Sequence, residues 1–157
     1  MNLRLTILPL ALFLTSCGGD GEQSYNEKVH QHILEYKEKW DFASLIDYSF
    51  TYRQSPGDCP TADEVPAIDI NVENGMVSSV YLSGTSISVD ISRGVTINQI
   101  FALVTKLAQE KSIQFSSSAK VKTLPLFDDN LGYPVSFYFD KSNSDCDALF
   151  NRISNFS

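Results

Sequence analysis

A chain of 157 residues with 12 Lys+Arg against 19 Asp+Glu carries a formal net charge of −7. That balance argues against nucleic acid as a partner, because phosphate binding needs a basic face. With 43% hydrophobic and 20% charged residues, the composition fits one globular domain and excludes a disordered chain.

The first segment reads MNLRLTILPLALFLTSC. Arg4 precedes an apolar run from Leu5 to Leu14, and small residues follow, which is the order of a secretory signal peptide. The run contains Pro9 and is too short to span a bilayer, which takes roughly 20 apolar residues. Its end, Leu14-Thr15-Ser16-Cys17, resembles the lipobox of bacterial lipoproteins. The resemblance implies that Cys17 receives a diacylglyceryl group, that cleavage precedes it, and that the new amino terminus is acylated. Several acyl chains, at about 0.8 kcal/mol per buried CH₂, would hold the protein on a membrane. Gly18 stands where an Asp commonly marks inner-membrane retention, so a Gram-negative host would place the protein on the outer membrane, facing the periplasm. Residues 1–16 are thus expected to be a signal peptide, 17–25 the lipidated cysteine and a flexible tether, and 26–157 a single domain. Loss of Arg4 leaves 11 bases against 19 acids, a net charge of −8, so attachment rests on lipid and not on a basic face. With Cys17 acylated, Cys59 and Cys146 are candidates for one disulfide in an oxidising compartment; unpaired thiols or an intermolecular bridge are the alternatives.

In the body, Ser24 and Glu27 form a capping-box pattern. Val29, Ile33, Tyr36 and Trp40 then share one helical face, predicting a helix from Asn26 to about Phe42. His30 and His32 fall on this helix and read as surface residues; at i, i+2 they point apart and make a poor metal pair. Tyr48, Phe50 and Tyr52 alternate with polar residues, predicting a half-buried strand, and Ser55 to Pro60 reads as a loop. Ile68, Ile70 and Val72 predict the next strand, Asn74-Gly75 a hairpin turn, and Met76 to Leu82 the return strand. Ile87, Val89 and Ile91 predict another. Thr96 with Gln99 is a second capping box, opening a helix from Ile97 to about Lys111. Val121 to Phe127 reads as an edge strand, Asp128 to Pro134 as a turn, Val135 to Asp140 as a strand, and Leu149 to Phe156 as a last strand in preference to a short helix. Ser116-Ser117-Ser118 reads as low complexity. The order predicts an α+β fold, a mostly antiparallel sheet with two helices packed on one face.

These elements resemble a family of small uncharacterised bacterial lipoproteins, domain-of-unknown-function family 6174. The matching residues are Trp40, Tyr48-Ser49-Phe50-Thr51-Tyr52, Cys59-Pro60, Ile70 to Val77, Thr96 to Phe101, Phe127 to Pro134, and Asp140. Gly132-Tyr133-Pro134 closes the most specific block. The family commonly has Tyr where this chain has Phe127, and many members carry two nearby cysteines where it has Cys59 alone. The resemblance implies fold and location and brings no catalytic residues.

Among the candidate sites, Asp128-Asp129-Asn130 and Asn143-Asp145-Asp147 offer oxygen ligands but lack the glycine and glutamate of a calcium loop, and turn-forming Asp and Asn account for both. No G-x-S-x-G, HExxH or zinc spacing is present, so neither metal nor cofactor is implied. Asp128, Asp129, Asn130, Gly132, Tyr133 and Pro134 form a candidate recognition loop. Tyr133 reads more readily as a packing residue than as an exposed one. The function expected is that of a non-enzymatic, monomeric binding module for a protein or envelope component. An inhibitor or modulator of an envelope hydrolase, inserting the Asp128–Pro134 loop, is the alternative; an enzyme using Asp128 or Asp140 ranks below both.

Overall fold

Two capping boxes start the two helices. In the computed structural model, which describes residues 24–59, 61–110, 114–121 and 123–157, the Glu27 N–H donates to Ser24 Oγ and the Ser24 N–H to Glu27 Oε2. The first helix, α1, runs Tyr25–Ala43 and ends at Ser44 in the left-handed region, φ 51°. Thr96 and Gln99 repeat the reciprocal cap for α2, Ile97–Gln109. Each such cap contributes about 1 kcal/mol. Lys111, the expected end of this helix, lies outside the described residues, as do Cys17 and the whole leader.

Seven strands form one antiparallel sheet: β1 Tyr48–Pro56, β2 Ile68–Glu73, β3 Met76–Leu82, β4 Gln114–Ser116, β5 Leu126–Phe127, β6 Pro134–Asp140 and β7 Leu149–Ser154. Their order is β3-β2-β1-β7-β6-β4, with β5 also paired to β6. Asn74 and Gly75 both take positive φ, 51° and 74°, which is what a two-residue hairpin between twisted strands demands. Alternation puts Tyr48, Phe50, Tyr52, Ile70, Val72, Phe137, Phe139 and Ile153 on the inner face, all buried. Tyr48 meets both helices: its ring sits edge-on to Trp40, 5.3 Å away, and its hydroxyl accepts the Ile97 N–H. The fold is therefore α+β with both helices on one face.

Four segments differ from the sequence reading or add to it. Residues 87–91 are no strand. After the turn at Gly84, φ 75°, only one bridge, Tyr81 to Ser88, joins this segment to β3, and Asp90 then caps a 3₁₀ turn at Ile91–Arg93. Of its alternate side chains Val89 packs against the core, whereas Ile87 and Ile91 stay exposed. The expected strand from Val121 shrinks to Leu126–Phe127, because Pro125 has no N–H and its carbonyl is taken by the His32 side chain. The serine run, low in complexity, begins in β4. Ser116 Oγ donates to the Ser118 carbonyl and Ser136 Oγ to the Ser117 carbonyl, which lets these serines be buried. The expected loop at Ser55 also moves outward: Ser55 and Pro56 complete β1 against Phe150 and Leu149.

Candidate functional site

At the entry to β6, Phe127 stacks between the rings of Tyr36 and Phe101, 4.9 and 5.9 Å away. Asp128 Oδ1 then accepts the N–H groups of Asn130 and Leu131, at 3.0 and 2.7 Å, and the Tyr36 hydroxyl donates to Asp129 Oδ1. That bond to a carboxylate, aided by burial, raises the Tyr36 pKa above its ordinary value. Gly132, φ 85°, lies flat on α1; a Cβ there would stand 2.8 Å from Lys39 Cβ and 2.9 Å from the Trp40 nitrogen. Tyr133 stacks on Phe156, centroids 4.2 Å apart, and Pro134 begins β6. Asp129 and Asn130 remain exposed, whereas Gly132 and Pro134 are buried. The candidate recognition loop is thus largely a joint seating β6 against α1.

At the other end of β6 the structure brings together residues that sequence spacing does not connect. Cys59 is bonded to Cys146, 87 positions away. This draws Asp58 and Asp147 toward Asp140, so that a carboxylate oxygen from each lies within 4.8 Å of the others. Asp58 Oδ1 accepts the Ala148 N–H, and Asp147 Oδ2 accepts the Ser142 hydroxyl at 2.6 Å. The Oδ1 atoms of Asp140 and Asp147 are buried with no hydrogen-bond partner. Burial, then the neighbouring Asp147 and Asp58 carboxylates, push the Asp140 pKa up; the Ser142 hydroxyl holds Asp147 below its ordinary value. Among the described residues this is where oxygen ligands for a hard cation converge. Of the run Asn143-Asp145-Asp147, only Asp147 takes part.

Of the two histidines, His32 has the more committed setting. His32 is half-buried and not on a free surface: its Nε2 donates to the Pro125 carbonyl, and its ring lies edge-on to Tyr36 and Phe127. A packed ring bonded to a carbonyl is a structural histidine.

A third region collects apolar side chains at the end of the molecule where α1 stops. Phe42 is 92% exposed, Met76 69%, Ile46 55% and Ile91 51%. The Ile46 carbonyl accepts the Gly75 N–H and Asp47 Oδ1 accepts the Asn74 N–H, both at 2.7 Å, so the α1–β1 connection lies beside the hairpin tip. Met76 and Ile91 line one shallow cleft with Val77, Ser92 and Gly94. Each residue looks unremarkable in the sequence, as a helix end, a strand start or one step of an alternating run. The missing signal is tertiary, because nothing local says that the 87–91 segment stays uncovered.

A family model, described as a family of unknown function (DUF6174), matches residues 32–157. The chain belongs to that family. The DUF6174 match takes in most of α1, all of α2 and every strand, and so includes the β6 joint, the disulfide corner and the apolar end. No curated protein and no solved structure matches the chain.

Proposed function

We propose that this DUF6174 protein is a lipid-anchored cell-envelope module that binds a protein partner and performs no catalysis itself. The lipobox-like Leu14-Thr15-Ser16-Cys17 supports the anchor. The observation that carries the binding reading is the apolar end formed by Phe42, Ile46, Met76 and Ile91. Met76 and Ile91 share one cleft, and the Gly75–Ile46 bond brings the α1–β1 connection, with Ile46 exposed on it and Phe42 exposed just before it, beside that cleft. These side chains sit at the C-terminal end of α1, roughly 28 Å along the helix from the end that joins the Cys17 segment. A body attached at Cys17 would present this end away from its attachment.

The inhibitor reading needs Asp128–Pro134 as an inserting loop, and Gly132 and Tyr133 are committed to α1 and Phe156. The enzyme reading rests on Asp128 or Asp140: the Asp128 carboxylate is occupied in capping its own turn, and Asp140 is grouped with the Asp58 and Asp147 carboxylates, with no histidine or lysine among the described residues of that cluster. The anchored binding module is the reading we retain. Cys17→Ala is expected to abolish labelling by a lipid precursor and to move the protein from the membrane to the soluble fraction. A photo-crosslinking residue at position 76 is expected to trap one reproducible partner in intact envelopes, and the same residue at position 87 none. Undiminished membrane attachment of Cys17→Ala would refute the anchor; equal trapping at both positions would refute the binding end.

A further inference from the structure

We propose that the Phe42–Ile46–Met76–Ile91 end docks a protein segment that surrounds apolar side chains with Lys and Arg. This rests on the binding reading above and specifies the partner's chemistry. Three exposed carboxylates lie beside these apolar residues: Asp47 follows Ile46, Glu73 pairs with Met76 across the hairpin, and Asp90 precedes Ile91. Lys37 is held on Asp41 at 2.6 Å, which cancels that pair's charge, and the other cations close in sequence are turned elsewhere. Lys39 lies over the Tyr36 ring, and Arg93 lines a separate cleft with Tyr52, Val65 and Pro66. An apolar surface with an acidic border is complementary to an apolar surface with a basic one. A second copy of this chain would set acid against acid, and an anionic bilayer would be repelled in the same way.

The surface is also prepared for docking. The hairpin tip is fixed by its left-handed pair and by the two bonds to Ile46 and Asp47, so little ordering is required on binding. Met76 is the adaptable member, since its unbranched thioether fits irregular partners.

Apart from Met1, Met76 is the chain's only methionine, so a methyl-labelled methionine in the mature protein gives a single reporter at the proposed site. The probe is a synthetic amphipathic helix of leucine and lysine, titrated into mature protein labelled at Met and Ile methyls. The Met76, Ile46 and Ile91 methyls are expected to shift and saturate. Ile87, equally exposed at 58% but beside the far end of β3, is expected to stay still. Affinity is expected to fall severalfold as ionic strength rises from roughly 0.03 to 0.3 M, where the screening length becomes shorter than the patch. Phe42→Ser with Ile91→Ser, both on the surface, is expected to weaken binding at least tenfold with Met76 still reporting, and Glu73→Lys about fivefold by reversing one border charge.

Equal shifts at Ile87 would mean undirected charge attraction and overturn the proposal, as would no shift at millimolar peptide. A Met76 shift with phosphatidylglycerol vesicles but not with peptide would assign the end to lipid; a shift on concentrating the protein alone would assign it to a second copy. Cys17→Ala fractionation reads the anchor separately. Loss of membrane attachment alongside a silent titration would remove this inference and leave the anchor standing.

Discussion

The two ends of β6 hold the same residue type in opposite conditions. Before Pro134, Asp128 and Asp129 are each met by nearby donors: the Asn130 and Leu131 N–H groups for one, the Tyr36 hydroxyl for the other. After Phe139, Asp140 meets Asp58 and Asp147 from two other segments, and two carboxylate oxygens have no partner at all. The first end is held together by hydrogen bonds from its own turn and from the Tyr36 hydroxyl on α1. The second is held by a covalent bond between the neighbours of Asp58 and Asp147, against the repulsion of the charges beside it. Like charges can be crowded where a disulfide bears the strain, whereas an unlinked turn has to satisfy each carboxylate locally.

Breaking the covalent end should have the largest effect. For a loop of 87 residues the chain-entropy model gives roughly 4–5 kcal/mol for the disulfide. Cys59→Ser with Cys146→Ser is expected to lower unfolding free energy by somewhat less, since the released carboxylates can part; denaturant midpoints measure it. A loss under about 1 kcal/mol would show that the corner supports itself. At the other end, Gly132→Ala forces a Cβ onto the α1 backbone at a left-handed φ, with an expected cost of about 2–4 kcal/mol and a Tm lower by several degrees. An unchanged Tm would mean that β6 is not seated on α1 there.

The smallest effect has the opposite sign. Because the folded state holds the Asp140 proton more tightly than the unfolded chain does, ionisation of Asp140 subtracts stability as pH rises from 3.8 through its raised value. Asp140→Asn is therefore expected to raise Tm by about one or two degrees at pH 7 and to change nothing below the ordinary carboxylate value. Asp147 runs the other way: its lowered pKa contributes stability above 3.8 that is lost as pH falls. Calorimetry across pH separates the two. In the cysteine-free background the gain from Asp140→Asn should vanish, which ties the repulsion to the bond.

The same contrast marks what the sequence could and could not disclose. Capping boxes, the Asn74-Gly75 hairpin and the Tyr48–Tyr52 alternation are local rules, and the structure follows each of them. The turn character of Asp128–Pro134 was legible for the same reason. Its seating on α1 was not, because that depends on Gly132 meeting residues nearly a hundred positions earlier. The Asp58–Asp140–Asp147 grouping joins three segments through a disulfide and has no local signature. Residues 87–91 show the reverse failure: a strand-like pattern in which Val89 reaches the core but Ile87 and Ile91 find no facing layer.

That segment has a further consequence. The Leu82 N–H donates to the Ile87 carbonyl and the Val89 N–H to the Val80 carbonyl, so residues 87–89 occupy hydrogen-bonding positions along one rim of the sheet. At the opposite rim β4 is only three residues long, and the Ser117 N–H donates to the Thr123 carbonyl just beyond it. Open strand rims are templates on which neighbouring molecules zip into aggregates. Residues 87–89 and Thr123 thus occupy, at Val80, Leu82 and Ser117, rim positions that a neighbouring strand would otherwise use.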